Sequence, residues 1–318
     1  MTHTIKTLLA GASVAVAVAG TAQAQVSSIG LQNYAVTGNH VLPTVGGLGL
    51  EASAVTYARD RNSLFVVGDE GLGVLEFTLD GQLIGSMAFN WSGTGSSNND
   101  AEGLTYLGNG QLVLVDERPQ YAYSFSYAAG GTLALGSAPR VAITGNPASV
   151  GNVGTEGISV DPRDGSFFSV KQDGPLELRH GRLDFATGLS TMSVQFSGAT
   201  ALFGLNSFSD VQTLSPVDSF VGQPAADNLL ILSLDSRRLI EVDRQGQTLS
   251  SLDLSAITAQ AIEGVTVDER GTLYLVAEDS GTGNSRLFVL TPVPEPATYA
   301  LLLAGLGLTV AVRRARRR

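Results

Sequence analysis

The chain has 318 residues, 38 of them Gly, no Cys, only 15% charged side chains and a formal net charge of −10. The lack of Cys excludes disulfides, thiolate catalysis and sulfur-ligated metal sites. The acidic balance argues against nucleic acid as a partner, because phosphate binding needs clustered Lys and Arg.

Residues 1–24 read as a secretory signal. Lys6 supplies a basic start, residues 8–20 a small apolar run too short to span a membrane comfortably, and Ala22-Gln23-Ala24 a small-x-small cleavage pattern. This entry into the Sec machinery leaves a domain at 25–292. That domain holds 13 basic and 28 acidic side chains, a net charge of −15, so the exported body is more acidic than the whole chain.

Within the domain, 29–37 predicts an isolated strand, and a phrase then recurs. It begins at Glu51, Glu102, Glu156 and Glu263, with Asp210 as a degenerate copy, at spacings of 51 to 54 residues. Each phrase leads to a turn, an apolar strand, a third strand, and a fourth that is shorter and more polar. Asp80-Gly81 and Gln245-Gly246 supply hairpin turns. A helical apolar period is almost nowhere sustained. Four antiparallel strands per repeat predict an all-β fold, a single β-propeller of four-stranded blades. The 268 residues of the domain give five blades, or six if 199–221 hides an irregular one. The last blade runs out before its fourth strand, so the strand at 29–37 is expected to close the ring.

First strands line a propeller's channel, which would place Glu51, Glu102, Glu156, Asp210 and Glu263 near one end of it. Converging carboxylates need protons, hydrogen-bond donors or a cation. Two readings follow. An all-oxygen site suits Ca²⁺; alternatively, each carboxylate accepts backbone N–H bonds and locks blade to blade. A second set ends the second strands: Asp69, Glu70, Asp116, Glu117, Asp173, Glu278 and Asp279, with Arg118 and Lys171 interspersed. These are candidates for a ligand-binding face, for instance towards a small anionic ligand. Conventional catalytic sets are poorly represented. After export only His40 and His180 remain, and His180 falls in phase with Leu176 and Leu178. No G-x-S-x-G elbow occurs, and the Gly-rich stretches at 93–97 and 281–283 lack the Lys-Ser/Thr of a phosphate loop.

At 293–318, Val293-Pro294-Glu295-Pro296, an apolar stretch at 297–312 and the run Arg313 to Arg318 follow in order. This tripartite tail resembles the PEP-CTERM sorting signal of Gram-negative bacteria. The resemblance implies export, transient anchoring in the inner membrane through the C-terminal helix, processing by an exosortase, and association with exopolysaccharide. Glu102-Gly103-Leu104-Thr105-Tyr106 with Leu112 to Arg118, Glu156-Gly157-Ile158-Ser159-Val160-Asp161-Pro162 with Val170-Lys171, and Ile262-Glu263-Gly264-Val265-Thr266-Val267 resemble the SdiA-regulated (YjiK-like) propeller family. That likeness implies an exported propeller with a Ca²⁺ site and no established reaction. Two functions are expected from the whole: a surface-exposed binding or scaffold propeller, or a Ca²⁺-dependent hydrolase of esters, lactones or phosphoesters, similar to phytase-like and gluconolactonase-like propellers.

Overall fold

The computed structural model describes residues 25–69, 71–96, 98–145, 149–198, 203–279 and 284–293. The expected signal at 1–24, the sorting tail from 294 onward and Glu70 lie outside the described residues.

Five antiparallel sheets form the predicted five-bladed propeller. Their inner strands are Ala52–Ala58, Ala101–Gly108, Thr155–Asp161, Asp210–Thr213 and Ile262–Val267. These five strands touch one another in a closed ring, blade 5 against blade 1 included. In blades 1 to 4 the chain then runs outward, strand by strand. Blade 1 gains a fifth strand, Thr132–Ala134, parallel to its Leu83–Asn90. The sixth-blade alternative fails: the described part of 199–221 holds the inner strand of blade 4 and a short 3-10 turn, Asp218–Phe220.

The residue types follow the radial position. Second strands such as Ser63–Gly68, Ser166–Lys171 and Leu273–Ala277 are buried along their whole length. Each lies between two neighbouring blades, so both faces must be dry and the apolar run is nearly continuous. Outer strands such as Tyr34–Val41 and Ser193–Ser197 are mostly exposed or half-buried, and polar side chains fit there. The core accordingly consists of five apolar clusters, each at one blade interface. Phe65, Leu104 and Tyr123 join blades 1 and 2, for example, while Leu64, Val66 and Tyr274 join blades 1 and 5.

Ring closure takes the expected form, but with a strand shifted along the chain from 29–37 to Tyr34–Val41, because Leu31–Asn33 is a 3-10 turn. Tyr34–Val41 pairs antiparallel with Arg286–Pro292, from Tyr34 opposite Pro292 to Val41 opposite Arg286, and supplies blade 5 with its outer strand. The residues before it strap onto blade 4. The fully buried Glu241 carboxylate accepts bonds from Ser28 Oγ, the Ile29 N–H (2.9 Å), Asn228 Nδ2 (2.8 Å) and Ser250 Oγ (2.7 Å).

Candidate metal centre at one end of the channel

Register fixes which residues are equivalent in the ring. In blades 1, 2 and 5 a β-bulge falls at Ser53, Glu102 and Glu263, and in blade 3 it spans Glu156-Gly157. A bulge re-aims a side chain away from the ladder. It gives three glutamates a shared direction at the start of their inner strands. Glu51 is therefore two residues out of phase, and Ser53 occupies the repeated position.

A second marker gives the same phase. The hydroxyl three residues after the bulge accepts a backbone N–H from the next blade: Thr56 from Tyr106, Thr105 from Val160, and Ser159 from Thr213, each at 3.1 Å. Thr266 accepts from Tyr57 at 3.1 Å, and its own hydroxyl donates to Gln212 Oε1 at 3.0 Å, completing the circle. Gln212 thus stands where the others carry Thr or Ser, which puts Ser209 at the glutamate position and Asp210 at the glycine position. The glycines of the phrase have a steric cause. A Cβ on Gly157 would meet Asp210 Cα at 2.6 Å, and one on Gly103 would meet the Glu156 carbonyl at 2.6 Å.

The carboxylates form one acidic field. Ligand oxygens of Asp69, Asp100 and Glu102 lie within 4.8 Å of one another. Burial and the surrounding negative charges, Glu263 and Asp69 first, push Glu102 well above the usual carboxylate range. Glu156 is raised the same way, by burial and by Glu102 and Glu117. Glu263 reaches about 8, through burial and then Glu278 and Asp69. Asp69 reaches about 7, from burial and a hydrogen bond with Asp100. Glu117, also raised by burial, accepts the Gly154 N–H on Oε1 at 2.9 Å, while its buried Oε2 has no donor unless Glu156 carries a proton. Two carboxyl groups at hydrogen-bond distance need a proton or a cation between them. Arg118 pairs with Asp100 and also donates to Asn152 Oδ1 at 2.5 Å.

Of the sequence candidates, the structure brings Glu102, Glu156, Glu263, Asp69, Glu117, Glu278 and Arg118 into this field, with Glu51 at its edge. Asp100 is an addition. It lies two residues before Glu102, outside the repeated phrase. Five other candidates sit outside it or at its margin. Asp210 is tied to backbone N–H groups of Val265 and Val211. Asp116, at the field's margin, is raised to about 7 mainly by burial and further by Asp100 and Glu117, and accepts from Ser96 Oγ at 3.0 Å. Lys171 donates to the carbonyl of Asp173, whose own side chain is exposed. Asp279 is half-buried beside the backbone carbonyls that hold Gln260. His180 stacks on Phe168 with ring centroids 4.2 Å apart, as its strand phase suggested.

The oxygen-only donor set of Asp69, Asp100 and Glu102, backed by Glu117, Glu156 and Glu263, fits a hard cation such as Ca²⁺. Such an ion would replace the protons that the field otherwise needs.

Among solved structures, the chain is similar to Myxococcus xanthus glutaminyl cyclase at 12% identity and TM-score 0.51, covering 82% of this chain and 97% of that one. A chain of a nidogen/laminin complex matches at 12% identity and TM-score 0.46, over 74% and 78%. At these identities the first likeness supports the fold alone. Residues 292–318 match the PEP-CTERM protein-sorting motif, which implies export in a Gram-negative cell, membrane-associated sorting and processing by an exosortase. Residues 26–280 match the SdiA-regulated family, and with four-fifths of its length inside that match the chain belongs to the SdiA-regulated family.

Proposed function

We propose that this is a binding or scaffold propeller of the cell surface, anchored transiently in the inner membrane by its C-terminal segment, with a Ca²⁺ ion at the acidic end of its channel. The observation that carries the ion is the convergence of Asp69, Asp100 and Glu102 oxygens within 4.8 Å, two of these residues being buried. Glu117 Oε2 nearby, which only a protonated Glu156 could satisfy, supports it. In this reading the ion cross-links the starts of the inner strands and stiffens that face for a ligand. Exopolysaccharide is the surface component that the sorting signal suggests.

One observation favours a second reading, a Ca²⁺-dependent hydrolase of esters, lactones or phosphoesters. Glu263, held at about 8, and Asp69, at about 7, titrate close to the range a general base needs. A bound cation would polarise the substrate and lower the pKa of a bound water.

The full-length chain, purified with EDTA and titrated with Ca²⁺, tests both. A rise in melting temperature that Glu102→Gln reduces supports the ion. No rise overturns it. Turnover of chromogenic esters, lactones or phytate only with Ca²⁺ present would replace the binding reading by the hydrolytic one.

A further inference from the structure

The opposite end of the channel has different chemistry. A cavity of about 610 Å³ opens there, where the inner strands finish, with lining residues from all five blades. Its volume is in the range of small-molecule sites, about 300–1,000 Å³. The hydroxyls of Thr56, Thr105, Ser159 and Thr266, with the Gln212 amide, line it. They are the groups that latch the blades together. Each Thr56 and Thr105 hydroxyl spends a lone pair on the neighbouring blade's N–H and retains a proton to donate.

Two aromatic rings stand in the wall, each braced from behind. Tyr57 stacks on Tyr274 with centroids 6.5 Å apart and planes at 11°, and Tyr106 stacks on Phe65 at 5.7 Å and 25°. The Tyr106 hydroxyl accepts the Gly110 N–H at 2.7 Å, so the ring is held at its far end as well. Leu107, 39% exposed, Val160 and Val267 supply further apolar surface.

The charged side chains of this cavity are engaged mainly with groups at its margin. Arg59 pairs with Asp218 at 2.9 Å. Asp60 accepts the Asn109 N–H at 2.9 Å, and Glu269 lies beside Tyr57 and 3.9 Å from Arg270, with its buried Oε2 left without a donor. An anionic ligand would have to break the Arg59–Asp218 pair to reach a countercharge in this lining. An apolar ligand would strand the hydroxyl ring. The lining suits a molecule with flat apolar faces and a polar edge of hydroxyls.

We propose that this end of the channel is a second ligand site, separate from the acidic one, that takes an uncharged, hydroxylated ring compound of the size of a mono- or disaccharide. The rings of Tyr57 and Tyr106 would face the C–H surface of the ligand. Thr56, Thr105 and Gln212 would meet its hydroxyls. No proton or cation is required, so occupancy is independent of the acidic field.

The test uses the full-length chain in a detergent without a sugar headgroup. Saturation-transfer NMR and calorimetry compare neutral mono- and disaccharides with glucuronate and a sugar phosphate, each with EDTA and with Ca²⁺. The expected result is binding of at least one neutral sugar, at least tenfold tighter than its charged counterpart and unchanged by EDTA. Tyr106→Ala should weaken it at least tenfold. Because that variant also disturbs the Phe65 stack, Leu107→Arg at the exposed wall is the control. It should abolish binding with the melting temperature unchanged. Absence of neutral-sugar binding at about 10 mM, which would leave less than about 3 kcal/mol of affinity, overturns the proposal. So does undiminished binding by a folded Leu107→Arg protein, or equal binding of the charged sugars.

Discussion

Asp210 holds the Val265 backbone N–H on its Oδ2 at 2.8 Å, while its other oxygen takes its neighbour Val211's N–H at 2.8 Å. A fully buried acid of blade 4 is thereby bolted to the inner strand of blade 5. Burial is the one cause that raises its pKa, the two N–H bonds oppose it, and no carboxylate contributes. An acid that passes for a copy of the repeat's glutamate can therefore be a bolt in one blade, while the true glutamate of the next belongs to a charged field.

Asp210→Ala should destabilise the protein by about 1–3 kcal/mol for each buried N–H left without an acceptor. Urea denaturation measures the loss. The Ca²⁺-induced rise in melting temperature should survive in this variant and shrink in Glu102→Gln. An equal loss in both would put Asp210 among the ligands.

The acidic field makes stability depend on pH in one direction. Asp69 and Glu263 have folded pKa values of about 7 and about 8, above the unfolded range of about 4. Their contribution is complete below about pH 4 and is lost as pH rises to about 8, because the unfolded chain releases these protons first. Without a cation, the melting temperature should fall from pH 5 to pH 8. With Ca²⁺ the fall should flatten, and binding should release protons that calorimetry in two buffers will count. A pH profile identical with EDTA and with Ca²⁺ would contradict this.

Gly157→Ala should cost about 1–3 kcal/mol through overpacking, since the new methyl meets Asp210 Cα at 2.6 Å. The equivalent position in blade 1 is already Ala54, so Ala54→Gly should be far milder. Thermal denaturation of the two variants gives the comparison.

Glu241→Ala should release the strap at Ser28 and Ile29 without altering the Ca²⁺ response. Removing residues 25–41 goes further and strips blade 5 of its outer strand, leaving the edge of Arg286–Pro292 unpaired. Exposed edges recruit other chains. Light scattering should show association of the truncated protein, and a monodisperse monomer would argue against closure by this strand.

Much of the fold was legible because its causes are periodic. A spacing of 51 to 54 residues, apolar second strands and polar outer ones each reflect a fixed radial place in a blade. The unpaired strand before the first repeat and the missing one after the last are the two halves of the closure. The site was less legible, for three physical reasons. Matching acids put Glu51 and Asp210 in the ring, whereas the phase is set by the latch hydroxyls of Thr56, Thr105, Ser159 and Thr266. The bulge that turns Glu102 and Glu263 inward has no letter of its own. Asp116 ends its strand and turns to Ser96, whereas Glu117, in the turn just beyond it, joins the field. Asp100 fell outside the phrase and was missed for that reason.

The pairing of Tyr34–Val41 with Arg286–Pro292 also sets the order of events in the life of the chain. A loop of some 250 residues must close before the ring exists, and contacts of such sequence separation form late. A polypeptide passing a membrane from its N-terminus has its first strand outside long before the partner strand arrives. Until then that strand has no ladder to join. Its partner is delivered immediately ahead of the sorting motif at 292–318. If the chain is exported from its N-terminus, the ring can lock only as the sorting motif arrives, and translocation would then time the folding.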